Sequence, residues 1–258
     1  MFKLISIILV LLVCSYCVQP GKKSAHIDNT IRSVVVSEVI PFPDKNGKFT
    51  IYDTLTIPIY YYQGLTAYKL IYRLDSLDSL GNLIGSQNRY HFFVYKKDDI
   101  FGYIYNSFDS KVATKVSADS MLKHGIWCEA NNLYSGFSQN IIQLVSTYSN
   151  KDSGTLHEFY VYRRKNDSTI SGNFSLSFSD KIKGIEYSLS KELDSLKGMK
   201  LYNVKMEGHI QSQKKGKIVY DTLRTVDDLK EIVIKDSIEI LQYFTRYKKD
   251  CLRKEFSQ

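Results

Sequence analysis

The nine residues Ile170-Ser-Gly-Asn-Phe-Ser-Leu-Ser-Phe178 decide the fold class of this chain. Their large apolar side chains stand at even positions, and serine or asparagine stands at every odd position. Side chains of a β-strand point alternately to its two faces, so this period of two predicts a strand with one buried and one polar face.

The same period recurs along much of the chain. Two further runs, Tyr90–Tyr95 and Phe101–Tyr105, are aromatic at neighbouring positions and predict a hairpin that must be covered on both faces. Pro58 interrupts one alternating run and predicts an edge or a bulge there. The alternating apolar positions are Phe49, Ile51, Leu55, Ile57, Ile59 and Tyr61, then Tyr68, Leu70, Tyr72 and Leu74, then Tyr202, Val204, Met206 and Ile210.

Three segments have helical spacing instead. Ser117 is placed to cap a short helix that runs to His124. Leu189, Leu193 and Leu196 share one predicted helical face, which Gly198 is placed to end. The longest predicted helix covers about 237–254 and carries a stripe of apolar residues at Ile240, Phe244, Tyr247 and Cys251.

These patterns predict a mainly β protein. The expected architecture is a curved antiparallel sheet or a partly closed barrel, with short helices and a C-terminal helix packed against it. Two packed sheets forming a β-sandwich are the alternative. No linker-like stretch divides residues 30–258, so we expect a single β-rich domain there.

The N-terminus has the pattern of a secretory signal peptide over residues 1–17. Lys3 precedes a short apolar run, Leu4 to Cys14, which has too few residues to span a membrane comfortably. Residues 18–29 are polar and predict a tether. We therefore expect export to the periplasm, the cell surface or the extracellular space, with cleavage near Val18.

Cys14 and Cys17 raise a second possibility for this terminus. A leucine-rich stretch precedes both cysteines. Neither has, directly before it, the small residue that is typical of an acylated lipoprotein cysteine. Simple secretion is favoured, and a lipid anchor on Cys17 or Cys14 is the alternative and the sole expected membrane attachment. Cys128 and Cys251 would remain, either as a disulfide formed in an oxidising compartment or as two buried thiols.

The charge pattern argues against nucleic-acid binding. The formal net charge is +8, but lysines and arginines are spread over the whole chain. The locally basic tail Arg246–Lys254 is interpreted as the solvated face of a terminal helix, with attraction to an anionic membrane surface as the alternative.

No catalytic motif or cofactor fingerprint is predicted. Ser188 with Lys191 and Ser120 with Lys123 match Ser-x-x-Lys, but the companion motifs of penicillin-recognising enzymes are absent. His124 and Cys128 are spaced as two metal ligands, yet no further cluster completes a site, so no metal is expected. His91 and His157 are expected to be structural histidines.

A cluster of aromatic residues is the candidate binding site. These side chains either line a cavity for an apolar small molecule or a lipid, or they fill the core. An envelope protein docking on an aromatic edge at Tyr60, Tyr61 and Tyr62 is another expectation. The expected function is non-enzymatic binding, and an envelope hydrolase is the alternative. The candidate ligand-binding residues are Phe92, Phe93, Tyr95, Phe101, Tyr103 and Tyr105.

The composition and the first strands resemble known secreted proteins. Abundant Lys, Tyr, Asn and Ser, a short signal and repeated hairpins are similar to uncharacterised secreted proteins of Bacteroidota. Ala67-Tyr-Lys-Leu-Ile-Tyr-Arg-Leu-Asp-Ser76, followed by Tyr90–Tyr105, resembles the opening strands of the GLPGLI family. The naming motif of that family has no counterpart here. The resemblance implies an exported β protein and no particular activity.

Overall fold

Alternating side chains form long strands throughout the computed structural model. The structure describes residues 30–43, 49–81, 83–107, 113–125, 140–165, 167–214, 217–234 and 237–255. The predicted signal peptide 1–17, the tether 18–29 and the cysteines Cys14, Cys17 and Cys128 lie outside these residues. The strands are β1 (Arg32–Pro43), β2 (Phe49–Tyr62), β3 (Leu65–Leu77), β4 (Leu83–Lys96), β5 (Phe101–Tyr105), β6 (Thr114–Ser117), β7 (Asn140–Asn150), β8 (Thr155–Arg164), β9 (Asp167–Ser179), β10 (Lys200–Lys214) and β11 (Lys217–Glu231).

These eleven strands form one antiparallel sheet in the order β6-β5-β4-β3-β2-β1-β11-β10-β9-β8-β7. Each half is built mainly from strands that are consecutive in the chain, and the first and last strands join the halves at the centre. There Val34–Val39 pairs with Val226–Glu231. The sheet is open, since β6 and β7 lie at opposite ends. The prediction of a mainly β, curved antiparallel sheet is confirmed.

Tight turns set the registers of neighbouring strands. Gln63 and Gly64 connect β2 to β3 with φ angles of 50° and 74°, as a two-residue hairpin turn requires. β2 and β3 then pair only from Ile59–Tyr62 to Leu65–Tyr68. Beyond that point β3 and β4 continue as a separate two-stranded arm, whose pairing extends to Leu77 and Leu83.

The inner face of the sheet carries the larger core. Val34, Ile59 and Phe93 are buried there together with Phe178 and Leu201. The segment 182–189 and helix α2 (Lys191–Lys197) pack against this face. The backbone N–H of Tyr187 donates to the Tyr61 hydroxyl (3.2 Å). One core therefore extends across the sheet from β4 on one side to β9 on the other.

The outer face of β2–β5 is covered by helix α3 (Ser237–Glu255). Ile240, Tyr243, Phe244 and Tyr247 are buried against Ala67 and other outer-face residues. The Tyr247 hydroxyl donates to Asp99 (3.0 Å). The predicted bounds of this helix and its stripe at 240, 244 and 247 are confirmed.

The two short helices follow the expected caps. Ser117 caps α1 (Ala118–Ser120), which continues as a π-helical turn over Met121–Gly125. Gly198 ends α2 in the left-handed conformation. The predicted face of α2 is wrong at Leu196, whose exposed fraction is 67%, whereas that of Leu193 is 4%.

Candidate functional site

The six candidate aromatic residues lie in three different environments. Phe92, Tyr103 and Tyr105 are buried on the outer face beneath α3. Phe93 and Tyr95 are buried in the core of the inner face. Phe101 is exposed, with the Lys115 ammonium 3.9 Å from its ring centre. The six residues therefore do not line one cavity, because alternation along β4 sends neighbouring rings to opposite faces.

The buried aromatic rings make the contacts of a packed core. Phe92 stacks on Tyr243 of α3 with ring centres 4.0 Å apart. Phe93 and Tyr95 stack at 5.3 Å on the inner face. The Tyr105 hydroxyl donates to Asp250 (3.2 Å), and burial raises the pKa of this phenol above its ordinary value. These contacts favour the expectation that the rings fill the core over the expectation that they line a ligand cavity.

The expected aromatic edge at Tyr60–Tyr62 is also packed. Tyr60 is buried on the outer face, and Tyr61 packs against the inner core. Tyr62 contacts Phe244 of α3 with ring centres 5.7 Å apart. The hypothesis of an exposed docking patch at these three residues is therefore wrong.

His91 and His157 lie on strands and contact neighbouring strand residues. His157 Nδ1 is 2.9 Å from the Ser177 hydroxyl, and its ring stacks with Tyr148. His91 packs against Tyr72, and burial lowers its pKa. None of these contacts brings in a carboxylate. The side chain of His124 lies outside the described residues.

His209 has a carboxylate and a hydroxyl nearby. Its Nδ1 is 3.3 Å from Thr222 Oγ1, and its Nε2 is 3.5 Å from Glu207 Oε1. However, Arg224 Nε donates to Glu207 at 2.7 Å. All four side chains are cross-strand or same-face neighbours on β10 and β11. The group is typical of charge pairing on an exposed sheet face.

Of the two Ser-x-x-Lys serines, Ser188 is held in a structural network. Ser188 is buried and donates to Asp194 Oδ2 (2.7 Å). The buried Lys200 ammonium is 2.8 Å from the same oxygen, and the backbone N–H of Leu201 donates to the other (2.6 Å). Ser120 lies in the exposed first turn of α1. The Asp194 cluster is a fully bonded network that joins α2 to β10.

A second buried carboxylate joins α2 to β8. Glu158 is almost fully buried on the inner face and accepts from Lys197 (2.6 Å) and from the Tyr160 hydroxyl (2.8 Å). Both of its oxygens are therefore bonded. Such a buried, hydrogen-bonded ion pair holds α2 against β8.

Two acidic side chains on the inner face lie opposite each other. Glu38 and Asp227 are directly paired across β1 and β11. Burial raises the pKa of Asp227 to about 6. Burial and the neighbouring Asp227 raise the pKa of Glu38. The pair costs stability at neutral pH, because burial disfavours the charged form of both groups.

Neither a metal site nor a membrane span is found in the described part of the chain. No three His, Cys, Asp or Glu side chains there are grouped as metal ligands. No described helix is long and apolar enough to cross a membrane. Cys251 lies on α3 beside the outer core. Its pairing with Cys128 stays a prediction, since Cys128 lies outside the described residues.

Strand β7, which the alternating pattern does not predict, presents a long exposed apolar surface. It pairs with β8 on one side. Among the strands that the structure describes, none pairs with its other side. All nine interior residues are exposed. The exposed large apolar residues are Ile141, Ile142, Leu144, Val145 and Tyr148.

This apolar surface continues on both faces of the sheet. The pairing of β7 with β8 places Ile142 opposite Tyr162 and Leu144 opposite Tyr160, on the inner face. Ile141 and Tyr148 point to the outer face. Phe159 and Val161 of β8 are also partly exposed on that outer face. We call β7 with these two β8 side chains the β7 edge.

The usual protection of a sheet edge is largely absent from β7. Natural edge strands are commonly short or carry lysine, proline or inward charges. β7 has eleven residues and contains no charged residue and no proline, although 24% of the whole chain is charged. A bulge between Leu144 and Ser146 is the protective device present. The β7 edge is thus suited to accepting another strand.

Comparison with known proteins adds no further assignment. The chain matches no protein-family model and no curated protein. The resemblance of its first strands to the GLPGLI family stays a prediction.

Proposed function

We propose that this chain is an exported, non-enzymatic binding protein of the cell envelope, and that it binds a protein partner through the β7 edge. The observation that carries this proposal is that β7, at the end of the sheet, is long, uncharged and exposed. An added strand would satisfy the outward backbone donors and acceptors of β7 and cover apolar side chains on both faces.

The charges around the edge are consistent with a strand partner. Backbone hydrogen bonds supply affinity that does not depend on sequence, and side chains at alternate positions supply selectivity. Arg163 and Arg164 are opposite Ile141 and Asn140, at one end of the edge. The uncharged middle of β7 lets the partner strand approach without desolvating an ion pair.

The envelope hydrolase, which the sequence left as the alternative, receives no support from the contacts described above. The hydroxyl of Ser188 is bonded within a structural network, and that of Ser177 is bonded to a histidine without a carboxylate. The export part of the proposal rests on the pattern of residues 1–17.

Photo-crosslinking in cells of the native host tests both parts. A photo-reactive phenylalanine analogue replaces Tyr148, whose exposed fraction is 62%, and a matched variant carries it at Tyr52 on β2, with an exposed fraction of 43%. We expect discrete adducts from position 148 and a clearly lower yield from position 52. Mass spectrometry of the isolated protein identifies the partner and reads the N-terminus of the chain.

The two readouts contradict different parts of the proposal. Equal yields at positions 148 and 52, or no adduct at position 148, would remove the β7 edge as the binding surface. An intact Met1 in the cytosolic fraction would remove export. A mature N-terminus near Val18, or a lipid adduct on Cys17 or Cys14, is the result that we expect.

A further inference from the structure

We infer that the β7 edge binds a second copy of this chain, so that two β7 strands pair antiparallel around a two-fold axis through the middle of the strand. This inference rests on the proposed function and names its partner. The two sheets would join into one continuous sheet across the pair, and both copies would use the same surface, as a two-fold interface requires.

The composition of β7 allows it to pair with a second copy of itself. Charged residues facing themselves across a two-fold axis repel, which is why edge charges oppose self-pairing. β7 has no charged residue in its eleven positions.

The two ends of β7 differ in charge. Arg163, Arg164 and Lys165 are exposed beside its first residues. The turn after its last residue carries Lys151 and Asp152, whose charges cancel. Antiparallel pairing places the basic end of one copy beside the neutral turn of the other. Parallel pairing would place the two basic ends together, so the charge pattern favours the two-fold arrangement.

A second β7 strand would cover apolar side chains on both faces of the sheet. A neighbouring strand lies about 4.8 Å from β7, close enough for its side chains to contact those of the edge. Leu144 on the inner face and Tyr148 on the outer face would both gain neighbours. The second copy brings the same apolar side chains, whereas water surrounds them in the single chain.

The strength of this contact is limited by its width. Eleven residues at about 3.4 Å each give a strand contact about 37 Å long. A contact one strand wide buries less than the roughly 1,600 Å² of a standard interface. The net charge of +8 also opposes association at low salt. We therefore expect a weak dimer that strengthens as salt screens the charge.

Sedimentation of the purified full chain tests the inference. Between about 1 and about 200 µM, a range that brackets micromolar affinities, the mass should rise from one chain towards two. At a fixed intermediate concentration, the dimer fraction should increase as the salt concentration goes from about 0.02 to about 0.5 M. A chain that stays monomeric at every concentration and salt level would overturn the inference.

Matched variants locate the contact. Leu144 and Leu74 are strand leucines with exposed fractions of 48% and 42%, and Leu74 lies on the separate arm of β3 and β4. We expect L144K to weaken dimerisation at least tenfold and L74K to leave it within about twofold. Equal effects of the two variants, or no effect of L144K, would contradict pairing through β7.

A mixture of variants separates self-pairing from a general loss of folding. Residue 144 is one position from the middle of β7, so two copies of it lie close together in the two-fold pair. L144K and L144E should each be monomeric alone and should dimerise when mixed. If either variant fails to fold, sedimentation of the wild-type chain still decides whether self-pairing occurs.

The outcome distinguishes this inference from the proposed function. A monomeric purified chain that crosslinks through position 148 to a different protein would overturn self-pairing and leave the β7 edge as a binding surface. The absence of any adduct at position 148 would remove both.

Discussion

At the scale of single residues, the pair Glu38 and Asp227 connects sheet packing with pH. The pKa of Asp227 is raised to about 6 by burial, whereas an unfolded aspartate titrates near 3.8. Between these two values the folded state binds more protons than the unfolded state. The free energy of unfolding therefore falls as pH rises from about 4 to about 6, and this cost persists above pH 6.

Replacing Asp227 with asparagine, a neutral side chain of similar shape, should remove this cost in the free energy of unfolding. We expect D227N to raise the free energy of unfolding at pH 7.5 by about 1 to 3 kcal/mol, with the advantage lost below about pH 4. Urea unfolding at several pH values measures the effect. D152N in the exposed turn after β7 is the control. It should change the free energy of unfolding by less than about 0.5 kcal/mol, both at pH 7.5 and below about pH 4.

The aromatic residues show what a residue pattern does and does not predict. Alternation correctly indicated that Tyr90–Tyr95 and Phe101–Tyr105 have two apolar faces to cover. It also implies that Phe92 and Phe93 point in opposite directions, so a single cavity for both conflicts with the pattern itself. Which element covers each face depends on distant contacts, such as Tyr243 on Phe92, which local spacing does not encode.

At the scale of elements, α2 differs from its sequence pattern for a local reason. Leu189, Leu193 and Leu196 have helical spacing, but the helix begins only after the Ser190 cap. Leu189 is therefore part of the preceding segment, and a helix of seven residues has too few turns to bury Leu196 as well. Spacing alone does not place the cap.

This difference gives a matched prediction. L193A should lower the free energy of unfolding by about 2 to 4 kcal/mol, because it removes a side chain buried in the inner core. L196A should change it by less than about 0.5 kcal/mol, because that side chain is largely in water. Thermal or urea unfolding of the two variants measures both. Similar losses from the two variants would contradict the packing of α2 on the sheet.

β7 could not be recognised from alternation. Its apolar residues occur as the adjacent pairs Ile141-Ile142 and Leu144-Val145, and the bulge shifts the later residues by one position. Period two is therefore lost. The remaining signal was the sequence Ile-Ile-Gln-Leu-Val-Ser-Thr-Tyr itself, which is rich in residues that favour strands and is followed by the turn after Asn150.

At the scale of the whole molecule, the pattern predicted a mainly β chain, either a curved antiparallel sheet or a partly closed barrel, with a C-terminal helix. The structure confirms the antiparallel sheet and the helix, and the sheet is not closed. The pairing of β1 with β11 was not predictable, because it joins segments almost two hundred residues apart in the chain. That pairing decides which strands become the ends of the sheet. The candidate site depends on it, since β7 is an edge only in this strand order.

The measurement that most directly tests the open β7 edge is hydrogen exchange of the β7 amides. NMR at low protein concentration monitors the exchange of each amide. Amides that point away from β8 should exchange rapidly, while those of β9 in the sheet interior stay protected. Raising the concentration should slow exchange in β7 and leave β9 unchanged. Protection of every β7 amide at the level of β9 in the dilute monomer would contradict an open edge, because another part of the same chain would then cover it.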